Sequence, residues 1–393
     1  MTHPLPRAAR IATWAYFTLN GFAVGMWVVH IPNVERATGI SHSALGGLLL
    51  VLGAAAFLGM QVAGPLADRF GQRRLLPAAG VLLGAVLVGP GLADSWWTLG
   101  LALFCLGFGN GTIDVAMNSH AVVVERAYPR PIMASFHAMW SIGGALAALV
   151  GAGTLAAGVP TAVTLGVVGA ACVVASLVAA RFVIDATPEP EEPGNAEAAP
   201  SAKPSRKLVW LLGAIAFAMM LAEGVANDWA ALHSEDVLGT STSTAAFAYG
   251  SFAVAMTAGR FATDRVAALI GPVAIVRYGS ALAAFGLTLV VLTPWLPLAL
   301  AGWALFGLGL SGSVPQLFSA AGNLDPRASG ALMARVVGLG YVGLLAGPAL
   351  IGGLAHWIPL NAAFVVPVVL CVLAAVFADV LAPRPDRTEE PVG

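Results

Sequence analysis

Gly64-Pro65-Leu66-Ala67-Asp68-Arg69-Phe70-Gly71-Gln72-Arg73-Arg74 is the stretch on which the fold turns. Four charged side chains are crowded between two runs, 44–66 and 75–93, that carry none. Each run has the ~20 apolar residues needed to cross a bilayer's hydrocarbon. The stretch therefore reads as a short cationic turn between two membrane helices, and its arginines hold it on the cytoplasmic side.

The rest of the chain repeats this alternation. Of 393 residues, 58% are hydrophobic and 10% charged, against roughly 25% charged in a soluble domain. So few charges cannot cover a water-facing surface of this size, which excludes an ordinary soluble globular protein. A net charge of −1 gives no argument for nucleic acid as a partner. Cys105, Cys172 and Cys371 lie in apolar runs without metal or disulfide spacing, so no metal site or cofactor is expected.

Cutting at charges, prolines and polar turns yields twelve runs: 11–31, 44–66, 75–93, 97–122, 133–158, 161–183, 208–231, 244–266, 272–292, 295–319, 329–354 and 360–381. The expected fold is an all-α membrane protein with twelve transmembrane helices in two pseudo-symmetric six-helix bundles. The first run has no A-x-A-like end and leads into another span, so it reads as a retained helix. With a cytoplasmic N-terminus, the outer loops hold only Arg36, while Arg69, Arg73, Arg74, Arg126, Arg130, Arg181, Lys203, Arg206, Lys207, Arg265, Arg327, Arg384 and Arg387 fall inside. Both termini are then cytoplasmic. Trp96, Trp97 and Trp357 fall at the outer interface, where aromatic belts form.

Residues 184–207 carry five prolines and four glutamates, too little apolar surface to order the segment. They read as a disordered cytoplasmic linker between an N-terminal bundle, 1–183, and a C-terminal bundle with a short tail, 208–393. The two halves echo each other about 200 residues apart. Asn20-Gly21 and His30 match Glu223-Gly224 and His233; Gly39 and Ser41 match Gly239 and Ser241; Phe104, Gly107 and Asp114 match Phe306, Gly309 and Gln316; Asp68-Arg69 matches Asp264-Arg265. Parallel repeats of this kind place a binding site between the halves near the midplane.

The opening stretch resembles the signature loop of the major facilitator superfamily, G-x-L-A-D-R-x-G-x-R-R, and the likeness extends over essentially the whole chain. It implies that Gly64, Asp68, Arg69, Gly71 and Arg73 form a conformational latch, with Asp68 approaching the start of helix eleven near Arg335. It also implies a weaker echo at Asp264 and Arg265, facing the start of helix five. A carboxylate suits the positive end of a helix, while the arginines stay with headgroups. The plain alternative is a loop that only sets orientation.

Helix four contains Asn110, Asp114 and Asn118 at four-residue spacing on one face. A carboxylate at that depth costs about 2.5–3.5 kcal/mol on insertion scales, which marks Asp114 as functional. Asp114-x-Ala116-x-Asn118 is similar to the Glu-x-Ala-x-Asn of fucose-proton symporters, where the acid takes part in proton coupling. The competing reading is a structural acid paired with Arg260, Arg335 or a neighbouring helix. Those symporters carry a second acid in helix one. Here Gly21 to Pro32 has none, and offers Trp27 and His30. Helix seven instead presents Glu223 with Asn227 on one face, so the second proton site is expected at Glu223. His137 and Trp140, adjacent on one face of helix five, could stack on a ring-bearing solute. Asp228, near the outer surface, and His30 and His233, at helix ends, carry no firm assignment.

In this superfamily helices one, four, seven and ten line the cavity, which brings Asn20, Trp27, Asn118, Asn227 and Gln316 forward as solute contacts, beside His137 and Trp140 of helix five. The expectation is a monomeric bacterial inner-membrane transporter, not an enzyme, whose partners are protons, a small-molecule solute and the bilayer. Proton-coupled symport of a sugar or sugar derivative is the leading reading. A drug or metabolite antiporter is the second; the proline of the antiporters' helix-five motif is missing beside Gly143-Gly144. A receptor that binds a solute without moving it is the third. Gly307-x-Gly309-x-x-Gly312 lies inside a membrane run with no preceding strand, which excludes a dinucleotide fold. The solute, the direction of transport and the proton stoichiometry are not encoded in any readable motif.

Overall fold

The computed structural model describes residues 6–185, 205–325 and 328–382, without the side chains of residues 6, 42, 43, 242 and 243. Most of the linker, the C-terminal tail and the arginines Arg327, Arg384 and Arg387 lie outside the described residues, as does Lys203. Every long element is a helix. The first half of the chain holds α1 (Pro6–Thr38), α2 (His42–Phe70), α3 (Gln72–Val86), α4 (Gly89–Leu92), α5 (Trp96–Arg126), α6 (Met133–Ala156) and α7 (Thr161–Ala179). The second half holds α8 (Arg206–Asp236), α9 (Thr242–Leu292), α10 (Leu296–Leu310), α11 (Ser313–Asn323), α12 (Ser329–Ala355), α13 (Leu360–Ala363) and α14 (Val365–Val376). Among the described residues, ten helical stretches are long and apolar enough to cross a membrane.

Two elements differ from the sequence expectation; α9, which divides between the expected runs 244–266 and 272–292, does not. As one straight rod, α9 would be about 77 Å long at 1.5 Å per residue. It is instead two helices joined at Gly271, whose φ of 80° and ψ of 164° lie outside the helical range. Gly71 makes the corresponding turn between α2 and α3 with φ 78° and ψ 162°. Only a glycine enters that region without strain. The expected helix 295–319 breaks at Ser311-Gly312 into α10 and α11. Pro315 has no amide for the Ser311 carbonyl, and the Ser311 hydroxyl donates to Leu308 O at 2.6 Å. The final run breaks at Phe364 for a related reason, since Pro367 leaves the Ala363 carbonyl without its helical donor.

The two halves use the same local devices. Gly39 and Gly239, each with φ 65°, end α1 and α8's following turn, and Ser41 and Ser241 then cap the next helices, accepting Ala44 N and Thr244 N at 3.2 and 3.3 Å. A Cβ added at Gly107 would lie 2.1 Å from Leu52 O, and one at Gly307 2.2 Å from Phe252 O, so these helix pairs meet backbone to backbone. Packing is densest within each half: α1 on α6, α2 on α5, α8 on α12, α9 on α10. Between the halves, α2 meets α12, α6 meets α9, and α11 touches α5 and α6. Trp97 and Trp357 are largely exposed, as a belt position requires.

Candidate functional site

Asp114 sits on α5, twelve residues or about 18 Å of helix rise from Arg126. It is 4% exposed, and its Oδ2 has no hydrogen-bond partner. The Tyr341 side chain, from α12 in the other half, faces this carboxyl. Among the described residues neither Arg260 nor Arg335 pairs with it, so of the competing reading only contact with a neighbouring helix stands.

Arg260 binds elsewhere. Its Nη2 lies 3.3 Å from Glu223 Oε1, joining α9 to α8. Its Nη1 donates to Ser141 Oγ at 2.7 Å, across the divide on α6. Both charged side chains are mostly buried, 8% and 17% exposed, and Arg260 Nε is unpartnered. One turn before Ser141, His137 packs between Phe17 and Phe318, with ring centroids 5.3 and 5.8 Å away. Its Nε2 is buried without a partner.

Asn20 is engaged within the first half. Its Nδ2 donates to Asn110 Oδ1 at 2.8 Å, and its Oδ1 accepts Trp140 Nε1 at 2.7 Å. This amide chain ties α1, α5 and α6 together and explains why Asn110 and Asn20 occur on facing helices. Asn118 turns its Nδ2 to the Asp114 carbonyl at 2.9 Å and leaves Oδ1 unpartnered. Gln316 is buried with Nε2 unpartnered, and Trp27 is buried. Asn227 and Asp228 are exposed, so Asn227 is not drawn into the Glu223 cluster. The two end-of-helix histidines are fully buried rather than interfacial. His30 Nδ1 lies 2.8 Å from Met26 O, and His233 Nε2 lies 3.1 Å from Asn361 Oδ1 among Trp303 and Phe364.

The Asp68 end of the molecule is stitched across both seams. Asp68 accepts Gly330 N and Ala331 N at 2.7 and 2.9 Å, the second and third residues of α12. Asp264 accepts Ala134 N and Ser135 N at 2.9 and 2.8 Å, the second and third residues of α6. A helix start leaves four amides without internal acceptors, so a carboxylate there is favourable on both hydrogen-bond and dipole grounds. Gly64 allows the α2–α12 contact, because a Cβ there would sit 2.7 Å from Gly330 O. Arg335 is not among the partners of Asp68. Arg69 lies over the Phe70 ring at 5.2 Å, Arg73 donates its amide to Asp185 Oδ1 at 2.9 Å, and Arg265 is exposed.

Several residues of this end escaped the sequence reading. Glu125 accepts Ile132 N and Met133 N at 2.8 and 2.9 Å, so Glu125 and Asp264 together satisfy the first amides of α6. Its other oxygen is held by Ser319 of α11. Arg126 donates to Gly322 O and Asn323 Oδ1, both at 2.7 Å, placing a cation on the carbonyl end of α11. An acid inside an otherwise basic loop was the available signal. His120 was missed as well: it bridges Thr13 Oγ1 and Ile184 N at 3.0 and 3.1 Å, anchoring the chain where it leaves α7.

A family model, Major Facilitator Superfamily, matches residues 13–331 and 238–393. The chain belongs to that family. It is 34% identical over 359 residues to an uncharacterised MFS-type transporter of Yersinia pestis, covering 90% of this chain and 91% of that one. It is 31% identical over 384 residues to the membrane protein MosC of Rhizobium meliloti, covering 96% and 92%. In fold it matches FucP in the outward conformation with a TM-score of 0.79 at 14% identity, over 95% of this chain and 98% of that one; a further FucP structure names it the E. coli fucose:proton symporter. The protein is thus a multi-pass membrane transporter of the major facilitator type, resembling bacterial inner-membrane members. It carries a small solute across the bilayer and is not an enzyme.

Proposed function

We propose that this transporter is a proton-coupled symporter of a small polar solute, with a sugar or sugar derivative as the favoured class, and that it works as a monomer. Its helices form twelve spans in two six-helix bundles, 1–183 and 208–393, which rock about the solute; both termini and the Asp68 end face the cytoplasm. The observation that carries the coupling is Asp114. A buried carboxyl with a free oxygen, faced by Tyr341 from the other bundle, can answer protonation with a change in how the bundles meet. Glu223 is the second proton group, held by Arg260, which also reaches Ser141 of the opposite bundle. Asn118, His137, Gln316 and Trp27 present buried polar or aromatic surface for the solute. Asn20 and Trp140 shape that surface through their mutual bond, and exposed Asn227 lies on the route to it. Asp68 and Asp264 latch the cytoplasmic end closed while the opposite end admits solute.

The missing proline of the antiporters' helix-five motif, beside Gly143-Gly144, supports symport over the antiporter reading. Thermal-shift screening against sugars, peptidoglycan fragments and cationic drugs identifies the solute. Vesicle uptake under an imposed pH gradient then tests the coupling: Asp114→Asn loses uphill accumulation and keeps solute exchange. Undiminished accumulation by that variant would remove Asp114 from the mechanism.

A further inference from the structure

Away from the polar centre, a cavity of about 700 Å³ opens between α2, α8 and α12 at the Asp68 end. Its walls are apolar, with Phe57, Trp210, Leu332 and Leu339 prominent. Two cations stand in it: Arg206, the first residue of α8, and Arg335, six residues into α12. Both are exposed, and neither guanidinium has a hydrogen-bond or ion-pair partner among the described residues. The one acid in the wall, Asp325, already has a partner.

From this cavity we infer a binding site for an anionic phospholipid, its phosphate held between Arg206 and Arg335 and its acyl chains lying against Phe57, Trp210 and Leu339. The occupant follows from the mixture of surfaces. A free anion has no use for a wall of Phe, Trp and Leu, and a wholly apolar guest leaves two guanidinium groups uncompensated at the edge of the hydrocarbon. A lipid with a negative headgroup satisfies both, since basic pockets between membrane helices suit such headgroups. Trp210 is 62% exposed, which suits an indole at headgroup level.

The site adjoins the α2–α12 stitch. Leu332 and Ala328 of its wall flank Gly330, whose amide binds Asp68, and Phe57 and Gln61 of α2 press on Gly338 of α12. A bound lipid braces α8 against α12 and fills the space beside α2, so it favours the stitched arrangement. This holds whichever solute is carried.

Native mass spectrometry of the purified full chain, titrated with phosphatidylglycerol or phosphatidylcholine, tests it. Phosphatidylglycerol binds the unaltered protein more tightly than the Arg206→Gln/Arg335→Gln variant, by on the order of tenfold or more, and phosphatidylcholine does not separate the two. Arg206→Lys/Arg335→Lys, which keeps both charges, retains binding. Phosphatidylglycerol also raises the thermal midpoint of the unaltered protein, whereas millimolar inorganic phosphate does not. Equal affinity of the glutamine variant for phosphatidylglycerol would overturn the proposal, and so would protection by inorganic phosphate alone, which describes a plain anion site.

Discussion

Arg260 and Ser141, from opposite halves of the chain, are joined at 2.7 Å, while the same guanidinium lies 3.3 Å from Glu223. One buried cation therefore serves both an ion pair within the second half and a bridge to the first. Removing it leaves Glu223 charged and mostly buried without a counter-ion, a change that costs about 3–5 kcal/mol in buried pairs. Arg260→Gln should lower the thermal midpoint sharply, and Arg260→Gln/Glu223→Gln should recover most of the loss. A double variant as unstable as the single one would show that Glu223 is not the group left stranded.

Tyr341→Phe removes the hydroxyl that faces Asp114 and leaves the ring in place. Uphill accumulation should fall by roughly tenfold, about the effect of one hydrogen bond to a charged group. Solute exchange, which needs no net proton movement, should be nearly unchanged. Equal losses in both assays would assign Tyr341 to solute binding instead.

Asp68→Asn keeps the shape of the stitch and removes its charge. Bonds from a carboxylate to helix-start amides contribute about 1.5–3 kcal/mol, so the ratio of stitched to released molecules should drop tenfold or more. Spin-label distances between the ends of α2 and α12 report this directly. An unchanged distance distribution would mean that the α6–α9 seam suffices.

Gly330→Ala places a methyl 2.5 Å from Gly64 O and 2.8 Å from Asp68 Oδ1. Overpacking of this kind costs about 1–3 kcal/mol, and here it pushes α2 off α12. Gly153→Ala, where nothing lies within 4 Å, is the matched control. The first substitution should lower the thermal midpoint and lengthen the α2–α12 distance; the second should do neither.

The membrane class was legible because charges punctuate the apolar runs so sharply; the turn after Asp68 and its echo after Asp264 were visible for the same reason. For Asp68 and Asp264 the expectation of a helix start as partner came from family resemblance rather than from spacing, and it did not name the amides that each carboxylate accepts. What stayed hidden depends on helix rotation and on contacts between distant segments. Nothing in the string Gly259-Arg260-Phe261 indicates that Arg260 turns toward Ser141, more than a hundred residues earlier. The capture of Asn20 by Trp140 and Asn110, and of Glu125 by Ser319, is equally invisible to periodicity. The helix breaks at Ser311 and Phe364 were in principle readable from Pro315 and Pro367, but prolines are common enough in membrane helices that their presence alone does not decide a break.

Carboxylates fasten two separate seams at the same end, α2 to α12 and α6 to α9. Such fastenings act together, so weakening one shifts the balance between fully fastened and fully parted molecules without favouring a molecule parted at one seam only. Most of the electrostatic cost of parting therefore falls before any appreciable gap forms, which disfavours half-open intermediates and makes the switch between the two ends of the molecule concerted rather than gradual.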